Sequence, residues 1–181
     1  MTQSVSTLFD TGIERYKAGE GPETLLPVFK EICDRSPKTG AAWTCLSWLY
    51  LLDNQPDRAY KAAQKAVKFN PQDPQARINL ATAMLETKQS GVRQHIDIVR
   101  QMLFLDAELR QDIETSLEDG FSRKPDWDSL NRIKTWLFET WAVTLAIVSN
   151  QQQNFSVRND FSNKLMPDPE TGMILFFELN D

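Results

Sequence analysis

The stretch that decides the fold is "WTCLSWLYLLDNQPDRAYKAAQKAVKFNP", Trp43 to Pro71. Its first part places four residues at the i, i+3, i+4, i+7 spacing of one helical face: Trp43, Leu46, Ser47 and Tyr50. The segment "DNQPDR" then interrupts the helix, and Pro56 suits the first turn of a new one. In that second helix small residues recur at spacings of four and three, which lets two helices approach closely: Ala59, Ala63 and Ala66. The stretch therefore predicts a helical hairpin.

Similar residues recur 34 positions apart along the first half of the chain. Tyr16, Tyr50 and Met84 form one such series, and five pairs share the spacing: Phe9 and Trp43, Leu25 and Ala59, Phe29 and Ala63, Ile32 and Ala66, Pro37 and Pro71. Because one hairpin cannot bury its apolar face alone, a period of this length predicts stacked hairpins with a shared core.

The best copy, Trp43-x2-Leu46-Ser47-x2-Tyr50 followed by Ala59, Ala63, Ala66 and Pro71, resembles the tetratricopeptide repeat family. The resemblance covers residues 6–109 and implies repeats at 6–39, 40–73 and 74–109. It implies an all-α fold, a right-handed superhelix of antiparallel helix pairs.

The second half of the third repeat departs from the family pattern. Its alignment needs about two inserted residues near "TKQSG". It also places His95 where the family has a small alanine, and Ala107 where the family has proline. We therefore expect a distorted contact inside this repeat.

Beyond the repeats, residues 110–150 are expected to form capping helices. The first ends at Gly120, and the second, 128–149, carries one apolar face: Leu130, Ile133, Leu137, Trp141, Leu145 and Val148. The sequence pattern of residues 151–181 predicts a polar linker followed by a hairpin or an extended arm. We expect residues 155–179 to pack near the 128–149 helix, with occupation of the groove described next as the alternative.

Trp48 lies on a second stripe of the same helix as Trp43. In the family, that stripe lines a concave groove for partner peptides, so the resemblance makes Trp43 a core residue and Trp48 a groove residue. The implied partner-binding residues are Lys17, Thr44, Trp48, Leu51, Leu52, Ile78, Asn79, Thr82 and Leu85, with Asp10, Glu14, Gln75 and Glu86 at matching positions. Alternatively, the chain's own C-terminal part covers Trp48, and the two interpretations do not exclude each other.

Some members of the family bind a C-terminal carboxylate through lysine, arginine and asparagine on these helices. Asn79 could serve in such a clamp, but the equivalent residue one repeat earlier is Cys45, and no Lys or Arg accompanies it. The sequence therefore disfavours a carboxylate clamp.

Charge limits the class of partner. A net charge of −5 and a pI near 5.0 argue against non-specific binding of nucleic acid. A basic stripe on the second hairpin helix could meet acidic protein or lipid headgroups, and the acidic segment 106–128 could meet a basic partner, although a solvated face is favoured for both. The stripe comprises Arg58, Lys61, Lys65 and Lys68.

The sequence gives little support for catalysis. His95 is the only histidine, which excludes a histidine-based metal site or dyad within one chain. Gly19 and Gly21 resemble a phosphate loop only weakly, since no GK[ST] follows. We expect no enzyme activity, cofactor or metal.

The expected compartment is cytoplasmic, or an equivalent reducing one such as a stroma. Cys33 and Cys45 form no CxxC and are expected to be reduced thiols, and "MTQSVSTLFD" has no secretory pattern. The apolar segment 136–148 spans about 20 Å as a helix, less than the ~30 Å of a bilayer core.

These features predict a non-catalytic adaptor or assembly factor. Its partner would be a helical or extended, partly apolar protein segment in the groove. The alternative is a structural or assembly subunit of a larger complex, for example a membrane-associated or photosynthetic one, that uses the long apolar helix as its contact.

Overall fold

The computed structural model describes residues 3–138, which contain helices and no strand. The all-α prediction is confirmed. The helices are α1 (Val5–Lys17), α2 (Pro22–Arg35), α3 (Gly40–Leu52), α4 (Pro56–Phe69), α5 (Pro74–Glu86), α6 (Val92–Leu105), α7 (Ala107–Arg123) and the segment 128–138, here α8.

The first six helices form three hairpins whose turns share one backbone device. Each turn has a residue in the left-handed region two positions after its first helix ends: Gly19 (φ 94°), Asn54 (φ 54°) and Lys88 (φ 56°). The amide that follows each of these residues donates to a carbonyl five residues earlier, at 2.8 to 3.1 Å. This is the Schellman ending of a helix. The three turns therefore match in conformation although their residues differ.

The second helices of the second and third hairpins, α4 and α6, bury side chains of different size. The buried residues of α4 are alanines: Ala59, Ala62, Ala63 and Ala66. The buried residues of α6 are larger: Val92, Ile96, Val99 and Leu103. His95 lies beside this row and is half-buried, and its Nδ1 has no hydrogen-bond partner within residues 3–138. Burial, aided by the charge of Arg77, lowers the pKa of His95, so that the imidazole is neutral at pH 7.

The two tryptophans of α3 differ in burial. Trp48 is 8% exposed. Trp43 is only partly buried and packs at the edge of the core, contrary to the expectation that it is a core residue. Its indole N–H donates to the Pro37 carbonyl at 2.8 Å, and the Lys65 ammonium lies 4.0 Å from its ring centroid. Trp43 therefore lies at the surface, where it contacts the α2–α3 connection and α4.

The helices after the repeats pack within the same compact unit. In α8 the apolar face predicted for the long helix is buried as far as it is described, since Leu130, Ile133 and Leu137 have no exposed surface. No helix among the described residues is long and apolar enough to cross a membrane. Predictions for residues 139–150, for the hairpin or arm at 151–181 and for the packing of 155–179 lie outside the described residues.

Candidate functional site

The first helices of the three hairpins, α1, α3 and α5, carry the predicted groove, and α7 lies across them. At one end, Ser116 donates from Oγ to Gln75 Oε1 on α5 at 2.8 Å. At the other end, Arg123 donates to the carbonyl of Tyr16 in the last turn of α1 (2.9 Å) and to that of Glu20 in the α1–α2 turn (3.2 Å). Helix α7 therefore spans the concave surface from α5 to α1.

Gly120 brings the backbone of α7 against α3. A Cβ atom at this position would lie 2.8 Å from Trp48 Cη2 and 2.8 Å from Leu130 Cδ2. The sequence-based expectation that Gly120 ends a helix is wrong, because α7 continues to Arg123. Close packing, rather than helix termination, explains glycine here.

A polar cluster holds the C-terminal half of α7 on α1. Tyr16 donates its hydroxyl hydrogen to Asp119 Oδ2 and accepts from Trp48 Nε1 at 2.7 Å. Arg123 donates from Nε to both Asp119 oxygens, at 3.0 and 3.1 Å, and its guanidinium lies 3.9 Å from the Tyr16 ring centroid. Burial, followed by the hydrogen bond to Asp119, raises the pKa of Tyr16 above its ordinary value. The phenol is therefore a protonated, structural hydroxyl at neutral pH.

The turn from α7 to α8 contacts the C-terminal end of α5. Trp127 lies against Trp48, with ring centroids 5.2 Å apart and planes tilted by 37°. Glu86 Oε1 accepts from Trp127 Nε1 and from Ser129 Oγ, each at 2.6 Å. The chain's own C-terminal helices thus cover Trp48, as one of the two sequence-based interpretations held.

The predicted partner-binding residues fall into two groups. Lys17 is exposed, whereas Leu52 and Leu85 are partly buried. The remaining six are buried: Thr44 and Trp48 are 8% exposed, and Leu51, Ile78, Asn79 and Thr82 are 0% exposed. A partner can reach the last four only if neighbouring helices move.

Asn79 joins two repeats. Its Nδ2 donates to the Thr44 carbonyl and to Ser47 Oγ, each at 3.0 Å, and its Oδ1 accepts from Gln75 Nε2 at 2.8 Å. Because these bonds use both ends of the amide, Asn79 contributes to the α3–α5 interface rather than presenting a donor to a ligand.

An open cavity of 470 Å³ remains between α1, α3 and α7; we call it the α1–α3–α7 cleft. Its apolar lining comes from Ile13, Phe29 and Leu49 together with Cys45 and Trp48. Its polar lining comes from two sides: Lys17, Tyr16, Thr44 and Gln75 on the repeats, and Asp112, Thr115, Ser116, Asp119 and Arg123 on α7. The cleft therefore combines an apolar surface with hydrogen-bonding groups on both walls.

The chemistry of the cleft suits binding. Burial raises the pKa of the Cys45 thiol to about 12, so that the thiolate nucleophile is scarce at neutral pH. Among residues 3–138, no group of three or more His, Cys, Asp or Glu side chains could hold a metal ion. The groups that remain offer hydrogen bonds, charge and apolar contact.

Sequence reasoning missed the wall that α7 contributes. From the sequence, Ser116, Asp119 and Arg123 belong only to the acidic segment 106–128, and Asp119 lies 103 positions from its partner Tyr16. The available signal was Gly120 within an otherwise regular helical pattern, because a glycine in a helix interior often marks close packing.

The comparisons confirm the resemblance. The tetratricopeptide repeat profile matches residues 40–83, which cover α3, α4 and most of α5. None of the curated proteins matches the chain. A solved structure of the type III secretion translocator chaperone SycD of Yersinia enterocolitica (alternative dimer) is similar at 13% identity and a TM-score of 0.55, covering 74% of this chain and 94% of that one.

A second structure shows SycD in complex with a peptide of the translocator YopD. It is similar at 15% identity and a TM-score of 0.54, and covers 74% of this chain and 95% of that one. At these identities the likeness is one of fold.

Proposed function

We propose that this chain is a non-catalytic protein-interaction adaptor that binds a partner segment in the α1–α3–α7 cleft. The observation that carries the proposal is the 470 Å³ cavity on the concave side of the repeats. Its volume lies within the ~300–1,000 Å³ typical of ligand sites.

The lining of the cleft defines the kind of segment. Ile13, Phe29 and Leu49 provide an apolar floor for one or two bulky side chains of the partner. Thr115, Ser116 and the nearby carboxylates of α7 can accept or donate hydrogen bonds to a partner backbone. A partly apolar segment, extended or helical, matches this combination, and the SycD–YopD complex is an example of a peptide bound by a protein of similar fold.

The proposed binding site is smaller than the groove predicted from the sequence. Of the nine predicted residues, Lys17, Thr44 and Trp48 line the cleft. The partner would therefore occupy the part of the groove next to α1 while α7 stays in place. We do not assign partner contacts to Ile78, Asn79 and Thr82, which are fully buried.

A peptide selection tests the proposal. Random peptides displayed on phage are selected on the full chain, and the affinity of the best binder is measured by calorimetry with Lys17→Glu and Thr115→Arg. Both residues are exposed at the cleft, so both variants should fold. We expect each to weaken binding at least about tenfold, because a lost charged contact or a blocked cavity removes about 1.4 kcal/mol or more.

The matched controls are Glu14→Lys on α1 and Gln111→Arg on α7, which change exposed residues outside the cleft. They should alter the affinity less than about twofold. Equal effects of the cleft and control substitutions would show that the peptide binds elsewhere.

A further inference from the structure

A second cavity, of 370 Å³, lies between α2, α3 and α4; we call it the basic cleft. Both clefts use side chains of α2 and α3, but they share no lining residue, and the basic cleft contains no residue of α7. An inference from it is therefore independent of the function proposed above.

Four cations surround the basic cleft: Lys30 on α2, and Arg58, Lys61 and Lys65 on α4. All four side chains are exposed, and Asp34 is the one carboxylate in the lining. None of the four takes part in an ion pair in the described part of the chain. A chain of net charge −5 thus concentrates unpaired positive charge around one concavity.

The floor of the basic cleft is apolar and aromatic. Trp43, Leu46 and Tyr50 contribute to it, with Lys65 Nζ 4.0 Å from the Trp43 ring centroid and Arg58 Cζ 5.9 Å from that of Tyr50. These cations sit above aromatic faces, which holds them at the rim of the cavity.

The Tyr50 hydroxyl lacks a hydrogen-bond partner among the described residues. Tyr50 is 8% exposed, and its hydroxyl makes no hydrogen bond to any of residues 3–138. Buried tyrosine hydroxyls usually have one. The hydroxyl is not among the fully enclosed unpaired atoms, so it is accessible from the cleft. It is a free donor or acceptor within an otherwise apolar floor.

We propose that the basic cleft binds an acidic segment of a partner protein, with an apolar side chain on the Trp43–Tyr50 floor and carboxylates at the cationic rim. Arg58, Lys61 and Lys65 follow one face of α4 over about 10 Å at ~1.5 Å per residue. About three extended residues cover that distance at ~3.3 Å each. A peptide with alternating acidic and apolar side chains therefore matches both the rim and the floor.

Two other ligands, free phosphate and nucleic acid, would match fewer features of the basic cleft than an acidic peptide does. Free phosphate would meet the cations and leave the aromatic floor uncovered. A long nucleic acid would extend onto the acidic remainder of the chain, which opposes it. The basic stripe is thus more than a solvated helix face, because three of its members line a cavity and Lys68 does not.

The test uses a fluorescein-labelled peptide, Glu-Leu-Glu-Glu-Phe-Glu, and anisotropy with the full chain. We expect saturable binding that weakens with salt, since exposed charges are screened over about 10 Å at 0.1 M. Lys61→Glu should weaken it about tenfold or more. Lys68→Glu, the same charge change on the same helix outside the cleft, should alter it less than about twofold. Tyr50→Phe should weaken it measurably through the lost hydroxyl.

Each remaining outcome contradicts the proposal. Absence of saturable binding up to about 1 mM peptide would overturn it, as would equal effects of Lys61→Glu and Lys68→Glu. Complete competition by equimolar inorganic phosphate would assign the cleft to phosphate. If Lys61→Glu changes the oligomeric state by light scattering, the occupant is a second copy of the chain. Lys61→Gln, with melting followed by circular dichroism, separates loss of binding from loss of fold.

Discussion

The concave surface of the three hairpins has a closed part and an open part, and the same helix, α7, forms both. At the closed part, Gly120 allows α7 to contact Trp48, and Trp127 packs on the same ring. At the open part, Thr115 and Asp112 face Ile13 and its neighbours across a 470 Å³ cavity. Side-chain size on α7 therefore decides where the groove is filled by the chain and where it is free for a partner.

The largest expected effect follows removal of the closed contact. Trp48→Ala should lower the free energy of unfolding by about 3–5 kcal/mol, because a fully packed indole is lost and a cavity remains. Trp43→Ala should cost at most about half of that, since the transfer free energy scales with the buried area and Trp43 is only partly buried. Denaturation in guanidinium chloride measures both. If the Trp43 substitution proved the more costly, Trp48 would not be sealed in solution.

The next effect comes from overpacking the same contact. Gly120→Leu should cost about 1–3 kcal/mol, because even a Cβ would approach Trp48 to 2.8 Å. Displacement of α7 should also shift tryptophan fluorescence to longer wavelength. Ser122→Leu, at an exposed position of the same helix, is the control and should leave the emission unchanged. Unchanged emission in Gly120→Leu as well would contradict the close packing of α7 on α3.

An effect of similar size is expected at the boundary between the two parts, where Tyr16 joins α1, α3 and α7. Tyr16→Phe should cost about 1–3 kcal/mol, because Trp48 Nε1 and Asp119 each lose a partly buried hydrogen-bond partner. Tyr60→Phe is the control, since Tyr60 makes no side-chain hydrogen bond to the described residues. An equal loss in the two variants would indicate that the cluster does not hold α7.

The same cluster predicts a pH dependence. The pKa of Tyr16 is raised in the folded state, so its contribution is fully present below the ordinary tyrosine pKa of 10.0. Above that pH the unfolded chain loses the proton while the folded chain keeps it, so stability falls as pH rises towards the folded pKa. Denaturation at pH 9 to 11 should therefore show a steeper loss for the native sequence than for Tyr16→Phe. Parallel slopes would contradict the burial of this phenol.

The smallest effect is expected in the open part. Lys17→Glu and Thr115→Ala should change the free energy of unfolding by about 0.5 kcal/mol or less, because both side chains are exposed. Losses comparable to that of Gly120→Leu would show that the cleft is closed in solution and would remove the distinction between the two parts.

The hairpins could be predicted because their contacts are local in sequence. Trp43 to Pro71 contains both helices of one repeat, and the 34-residue period carries that pattern to its neighbours. The left-handed residue of each turn also lies within its repeat. At Lys88, however, the residue type does not indicate this conformation, as glycine or asparagine would.

The path of α7 could not be predicted in the same way. The contact between Tyr16 and Asp119 joins residues 103 positions apart and has no counterpart in the repeat. Gly120 costs about 1 kcal/mol in a helix interior, which favours a helix end from the sequence alone. Packing against Trp48 outweighs that cost, and the same contact covers Trp48 with the chain's own C-terminal helices.

Site-specific photo-crosslinking, in cells that make the protein naturally, tests whether a partner binds in the α1–α3–α7 cleft. A photoreactive amino acid is placed at Lys17 or Thr115, on opposite walls of the cleft, and at Gln64 on the exposed face of α4 as the control. We expect Lys17 and Thr115 to crosslink to the same short, partly apolar segment of one partner, identified by mass spectrometry, and Gln64 not to do so. Capture of that segment equally from Gln64, or of unrelated segments from the two walls, would contradict binding in the α1–α3–α7 cleft.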